Sequence, residues 1–145
     1  LDSHLRLPPG GQLVRTASEV PVWVIATKAA PVANETALVS AGVEVMRVGA
    51  GADGHLDLAD ALRLLGARGI TRVFSEGGPT VGEKLAQAGL ADEVIVSTSP
   101  NALGYPGVVA VRPGLATLLA DPDIYRRIET GLIGHDRFEH YSRIA

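Results

Sequence analysis

Short β-branched runs alternate with helix-period segments along most of this chain, and that alternation leaves few folds open. Val22 to Ala26, in PVWVIATKA, reads as a strand, and ANETALVSAG as a short helix stopped by Gly42, a residue suited to a left-handed cap. VEVMRV, Val43 to Val48, predicts a second strand, and the following GAGADGH a turn-rich loop. Asp57 then caps LADALRLLGARG, in which Leu58, Ala61, Leu62 and Leu65 recur at helical spacing and Gly69 ends the helix. TRVFS, which includes Val73 to Ser75, reads as a third and central strand, Thr80 to Ala88 as a third helix, and DEVIVSTS, around Val94, as a fourth strand. This order predicts an α/β fold, a largely parallel sheet with helices on its faces. YRRIETGLIGHDRFEHYSRI predicts an antiparallel hairpin near residues 125 to 144 that closes the sheet, after a Pro/Gly-rich connection from Pro100 to Pro113.

With 145 residues the chain fits a single domain, 1–145, able to bury roughly 68–70% of the surface its unfolded form exposes. Only six aromatics are present, so its core is expected to be Ala, Val, Leu and Ile. A net charge of −3 gives no electrostatic footprint for nucleic acid or an anionic membrane. The lack of cysteine excludes disulfides, zinc–thiolate sites and a thiol nucleophile. No apolar run reaches the 18 or so residues that span a bilayer and no signal peptide is visible, which makes a cytoplasmic location the expectation. His4, His55, His135 and His140 are scattered without metal-ligand spacing, so no metal site is expected and all four are read as surface residues. Trp23, inside a strand pattern, is read as packing.

The densest chemical signal is the joint RVFSEGGPTVGEKLAQAG, Arg72 to Gly89. Gly77 and Gly78 let the backbone turn tightly and approach a ligand closely, and Pro79 suits a first helical turn. Amides of Gly78, Thr80 and Val81 at a helix N-terminus form an anion site, although a plain strand-to-helix turn accounts for the same residues. Glu76 lies where open α/β sheets place their ligands, or else complements the helix end. In DSHLRLP, Ser3 and Arg6 offer a hydroxyl and a charge to a phosphate or ribose, while Asp2 and Ser3 could equally be turn formers.

Taken in order, LDSHLRLP, GVEVMRV, HLDLADALRLLGARGITRVFSEGGPT, LADEVIVSTSPNALG and IGHDRFEHYSR resemble the reductase domain of the bifunctional riboflavin-biosynthesis deaminase/reductase. The resemblance implies a dihydrofolate-reductase-like three-layer fold. It also implies NADPH-dependent reduction of the ribosyl group of 5-amino-6-(5-phosphoribosylamino)uracil, a small-molecule substrate, to a ribityl chain. By its motifs Glu76 lies against the substrate, Gly78, Pro79, Thr80, Val81, Gly82, Glu83 and Lys84 hold the cofactor's phosphates, and Ser3 contacts NADPH. Both readings then place these groups on one edge of the sheet. No catalytic proton donor is assigned.

The chain opens at Leu1 without an initiator Met and reads as part of a longer polypeptide, resembling the later two-thirds of one reductase domain. The deaminase motifs and the family's first strand and helix, with a K-x-A-x-S-x-D-G segment, have no counterpart in it. The expectation is that by itself it is inactive, and that an uncovered sheet edge makes it a homo-oligomer. The alternative is a non-catalytic nucleotide-binding or assembly module of the same fold.

Overall fold

The structure, a computed structural model, describes residues 1–144 and falls into two compact units, Leu1–Val73 and Phe74–Ala145, each with its own sheet. In the first unit β1 (Trp23–Thr27) and β2 (Glu44–Val48) pair in parallel, from Trp23 opposite Glu44 to Thr27 opposite Val48. Both faces of this pair are covered, as the near-continuous apolar runs require. Val24 and Ala26 pack with Leu5, with Val14 of α1 (Gln12–Arg15) and with Leu38 of α2 (Val32–Ser40). Ile25 and Met46 face the other way, onto Ala61 of α3 (Leu58–Ala67). Asp57 caps α3 by accepting from the Asp60 amide at 2.9 Å, and Gly42 and Gly69 follow α2 and α3 at φ +88° and +84°. Trp23 packs on the α3 side, with the Arg68 guanidinium 5.5 Å from its ring centre.

One side chain organises the end of β1. Arg47, on β2, donates through Nη1 to the carbonyls of Thr27, Lys28 and Ala30, at 3.1, 2.9 and 3.0 Å, and through Nε to Glu35 of α2 at 2.9 Å. A planar fork serves these acceptors together; an ammonium could not.

In the second unit β4 (Tyr125–Ile133) and β5 (Asp136–Arg143) form the expected hairpin around Gly134, with a register shift between Arg127 and Glu129. β3 (Glu93–Thr98) lies on the other side of β5 and runs antiparallel to it, not parallel to a neighbour as its place in the sequence suggested. An apolar alternation announces a strand but not its partner, and β3 takes the returning arm of the hairpin. Thr71 to Glu76 form no regular element, so Val73 to Ser75 are not a strand in this structure: β-branched residues favour extension, but a strand needs a partner. The parallel arrangement is therefore confined to β1 and β2.

Two helices, α4 (Gly78–Gln87) and α5 (Pro113–Ala120), pack on the second sheet through Ala86, Leu115 and the fully buried Tyr125. They approach so closely that a Cβ on Gly114 would lie 2.5 Å from Glu83 Oε1 and 2.6 Å from Gln87 Nε2. Neither α5 nor the single turn α1 was expected from the sequence. The Pro-rich run masked α5, although Pro113 opening it and Leu115, Leu118 and Leu119 at helical spacing were available signals.

Removing Arg47 strands three carbonyls and a half-buried carboxylate. Arg47→Met is expected to destabilise the first unit by about 2–4 kcal/mol, read from urea unfolding by the fluorescence of Trp23, the single tryptophan and a first-unit residue. A loss below that of an ordinary surface substitution would show the network to be incidental.

In the second unit, burial pushes the Tyr125 phenol above its usual range; Arg143 partly offsets this and Asp92 adds to it. Its hydroxyl donates to the Ala91 carbonyl at 2.7 Å. Because the folded value lies above the unfolded one, this contribution is complete below about pH 10 and is lost as pH rises through the folded value. Tyr125→Phe should cost about 1 kcal/mol near neutrality and flatten the alkaline limb of a melting-temperature profile; an unchanged limb would assign it to other groups.

Candidate functional site

The segment from Glu76 to Lys84 builds a turn that presents backbone donors. Glu76 is exposed, in the irregular stretch just before α4. Gly77 is the N-cap, with φ −70° and ψ 7°, and has no side chain to cap the helix; Gly78 follows at φ +77°. That left-handed conformation is strained for any residue with a Cβ. The space where a Gly78 Cβ would stand is open, with no atom within 4 Å. At Gly77 the reverse holds: φ is ordinary, but a Cβ would lie 3.0 Å from both Cβ and Cγ1 of Val81. One glycine is required by conformation, the other by contact.

Pro79 lies in the first turn and brings no N–H, so the amides of Gly78, Thr80 and Val81 are the donors of this helix start. Asp57 caps α3 and a carboxylate from α4 reaches the start of α5, whereas α4 has no side-chain cap and no acid in its first turn. Gly82 leaves the next turn open on its side, and Lys84, two residues on, is half-buried.

Glu83 behaves differently from its neighbours. Its side chain is 12% exposed and turns to α5, where Oε1 accepts from the Leu115 amide at 3.3 Å and Oε2 meets Arg112 Nε at 3.2 Å. It contributes its position in the turn and not its charge. Arg112, the N-cap residue of α5, also donates through Nη1 to Thr80 Oγ1 at 3.2 Å. Nothing in the sequence links position 112 to position 80.

Ser3 lies in the first unit, where the N-terminal segment runs beside the carboxyl end of β1. Its carbonyl accepts from the Thr27 amide and hydroxyl at 3.2 and 2.8 Å, and its Oγ accepts from the Leu56 amide at 3.3 Å. Both Ser3 and its neighbour Asp2 are turn-forming, since Asp2 Oδ2 takes the Leu7 amide at 2.8 Å. The next core residue, Leu5, is buried with φ +54°, and Asn34 Nδ2 donates to its carbonyl at 3.0 Å. Such an outlier persists only where its surroundings over-determine it. Arg6 is 80% exposed, 3.8 Å from Asp2. Of the histidines, His140 departs from expectation: it is half-buried on β5, its Nε2 3.3 Å from Glu93, because cross-strand neighbours on β3 and β4 flank it.

The RibD C-terminal domain family matches residues 1–127. The chain belongs to that family. It is 39% identical over 84 residues to the riboflavin biosynthesis protein RibD of Escherichia coli (strain K12), covering 57% of this chain and 23% of that protein. It thus spans about a quarter of that relative. Among solved structures, a pyrimidine reductase-like protein from Corynebacterium diphtheriae superposes with TM-score 0.70 at 22% identity, covering all of this chain and 60% of that one. Acinetobacter baumannii RibD superposes with TM-score 0.68 at 19% identity, covering 99% of this chain and 36% of that one. The fold class is the dihydrofolate-reductase-like one. Among the described residues no helix is long and apolar enough to cross a membrane.

The two glycines can be told apart experimentally. Gly77→Ala should cost about 1–2 kcal/mol through its collision with Val81, and Val81→Ala should relieve part of that cost in the double variant. Gly78→Ala should cost about 1 kcal/mol through φ alone and add independently to Val81→Ala. Urea unfolding of the three single and two double variants by circular dichroism checks this; equal coupling of both glycines to Val81 would refute the distinction.

Proposed function

We propose that this chain is part of an NADPH-dependent reductase of riboflavin biosynthesis, acting on 5-amino-6-(5-phosphoribosylamino)uracil and converting its ribosyl group to a ribityl chain. Family membership supports the reaction class. The observation that carries the cofactor reading is the start of α4, which has no side-chain cap, has Gly78, Thr80 and Val81 as its first backbone donors, and is open where a Gly78 Cβ would stand. A diphosphate fits donors of this kind: it accepts hydrogen bonds only, and the helix start adds favourable partial charge.

In this reading Gly78, Pro79, Thr80, Val81, Gly82, Glu83 and Lys84 hold the phosphates through the turn and its backbone. Ser3 gives its hydroxyl to the same cofactor. Glu76 faces the pyrimidine substrate, whose ring amino and N–H groups are donors that a carboxylate can accept. NADPH supplies the hydride to the sugar carbon being reduced. The protein's part is to fix donor and acceptor carbons within about 3–3.5 Å and in line.

The full-length protein should oxidise NADPH only when the pyrimidine substrate is present, and product should appear in equal amount. Failure of a folded, full-length preparation to do so would end this reading. Glu76→Gln in that protein should raise KM for the pyrimidine about tenfold or more, the worth of one hydrogen bond to a charged group. NADPH affinity should stay within about twofold of wild type, below the change expected from one lost hydrogen bond. Parallel losses for both ligands would refute the assignment of Glu76 to the substrate.

A further inference from the structure

We propose that Arg112 is a positioning residue for the cofactor's phosphates, acting through the Thr80 hydroxyl; the role rests on the cofactor reading above. A hydroxyl carries one proton and two acceptor lone pairs. Arg112 Nη1 donates to Thr80 Oγ1 at 3.2 Å, so one lone pair is occupied by a cation and the hydroxyl's own proton is directed to another partner. A phosphate oxygen, which only accepts, is complementary to a hydroxyl held in that sense, and the adjacent guanidinium polarises the O–H towards it.

Two further contacts make the guanidinium a fixed group. Glu83 Oε2 takes Arg112 Nε at 3.2 Å from a nearly buried position, and Arg112 is the N-cap residue of α5, so the backbone from which its side chain reaches is set by that helix. The carboxylate that holds it is itself held by the Leu115 amide. Arg112 therefore reaches Thr80 from a rigid base, 32 residues along the chain from the turn it serves. A lysine there would keep the charge but could not hold Glu83 and Thr80 with separate, fixed N–H groups.

The test is a double-variant cycle in the full-length protein, with NADPH dissociation constants, pyrimidine KM at saturating NADPH and melting temperatures measured for each form. Thr80→Val and Arg112→Gln should each weaken NADPH binding about tenfold, and the double variant should be no weaker than about twice the worse single one, because both remove the same oriented proton. Pyrimidine KM should not move. Arg112→Lys should remain weakened. Additive losses near a hundredfold, recovery of wild-type affinity by lysine, or a lowered melting temperature with unchanged NADPH affinity would each overturn the role. Thr80→Val keeps the test open should Arg112 variants unfold: unchanged affinity in that variant alone refutes it. Wild-type protein that fails to bind NADPH would overturn the cofactor reading and this role together, whereas wild-type binding with unaffected variants overturns only this role.

Discussion

The second unit is arranged around one carboxylate. Glu83 sits nearly buried where α4 meets α5, and an ionised acid there is costly unless its oxygens are satisfied. The Leu115 amide and Arg112 supply that satisfaction, and the absence of a Cβ on Gly114 leaves room for it. An anion at a helix N-terminus also gains roughly 0.3–1 kcal/mol from the helix dipole, more when partly buried. The consequence for the site is directional: with its charge turned to α5, Glu83 puts no negative group across the start of α4.

The first unit meets a similar demand with a strained residue. Leu5 in the left-handed region costs roughly 1–2 kcal/mol, which burial of its side chain, about 1.5–3 kcal/mol, offsets. Asp2, Asn34 and the Thr27–Ser3 bonds fix the backbone on both sides of it. Arg47 does the same for the carbonyls that follow β1. The effect is to hold Ser3 where its carbonyl closes against Thr27 and its hydroxyl meets Leu56, although Ser3 and Leu56 both lie outside the helices and strands.

What the sequence disclosed and what it withheld separate along a physical line. Local signals were legible: Asp57 as a cap, Gly42 and Gly69 as stops, the hairpin about Gly134, and Pro79 at the start of α4. Pairing was not, because it depends on residues far away in the chain; Val94 was read as a parallel strand and takes the antiparallel arm of β5, and Val73 to Ser75 have the propensity of a strand without a partner. Individual residues divide in the same manner. Gly78 was conspicuous because its need for positive φ is local, whereas Arg112 and Asn34 act 32 and 29 residues away from what they touch. No motif could name them.

A chain of net charge −3 offers an anion no attractive overall field, which leaves oriented local donors as its means of favouring one. Ser3 and Thr80 show how. Each hydroxyl is in a different unit, and each accepts a hydrogen bond from a protein N–H, Leu56 in one case and Arg112 in the other. Each keeps its own proton to donate to another partner, as the amides of Gly78, Thr80 and Val81 do by nature. Neutral donors of fixed sense favour ligands that only accept, and they do so without the long-range attraction that a cluster of lysines would exert on every polyanion.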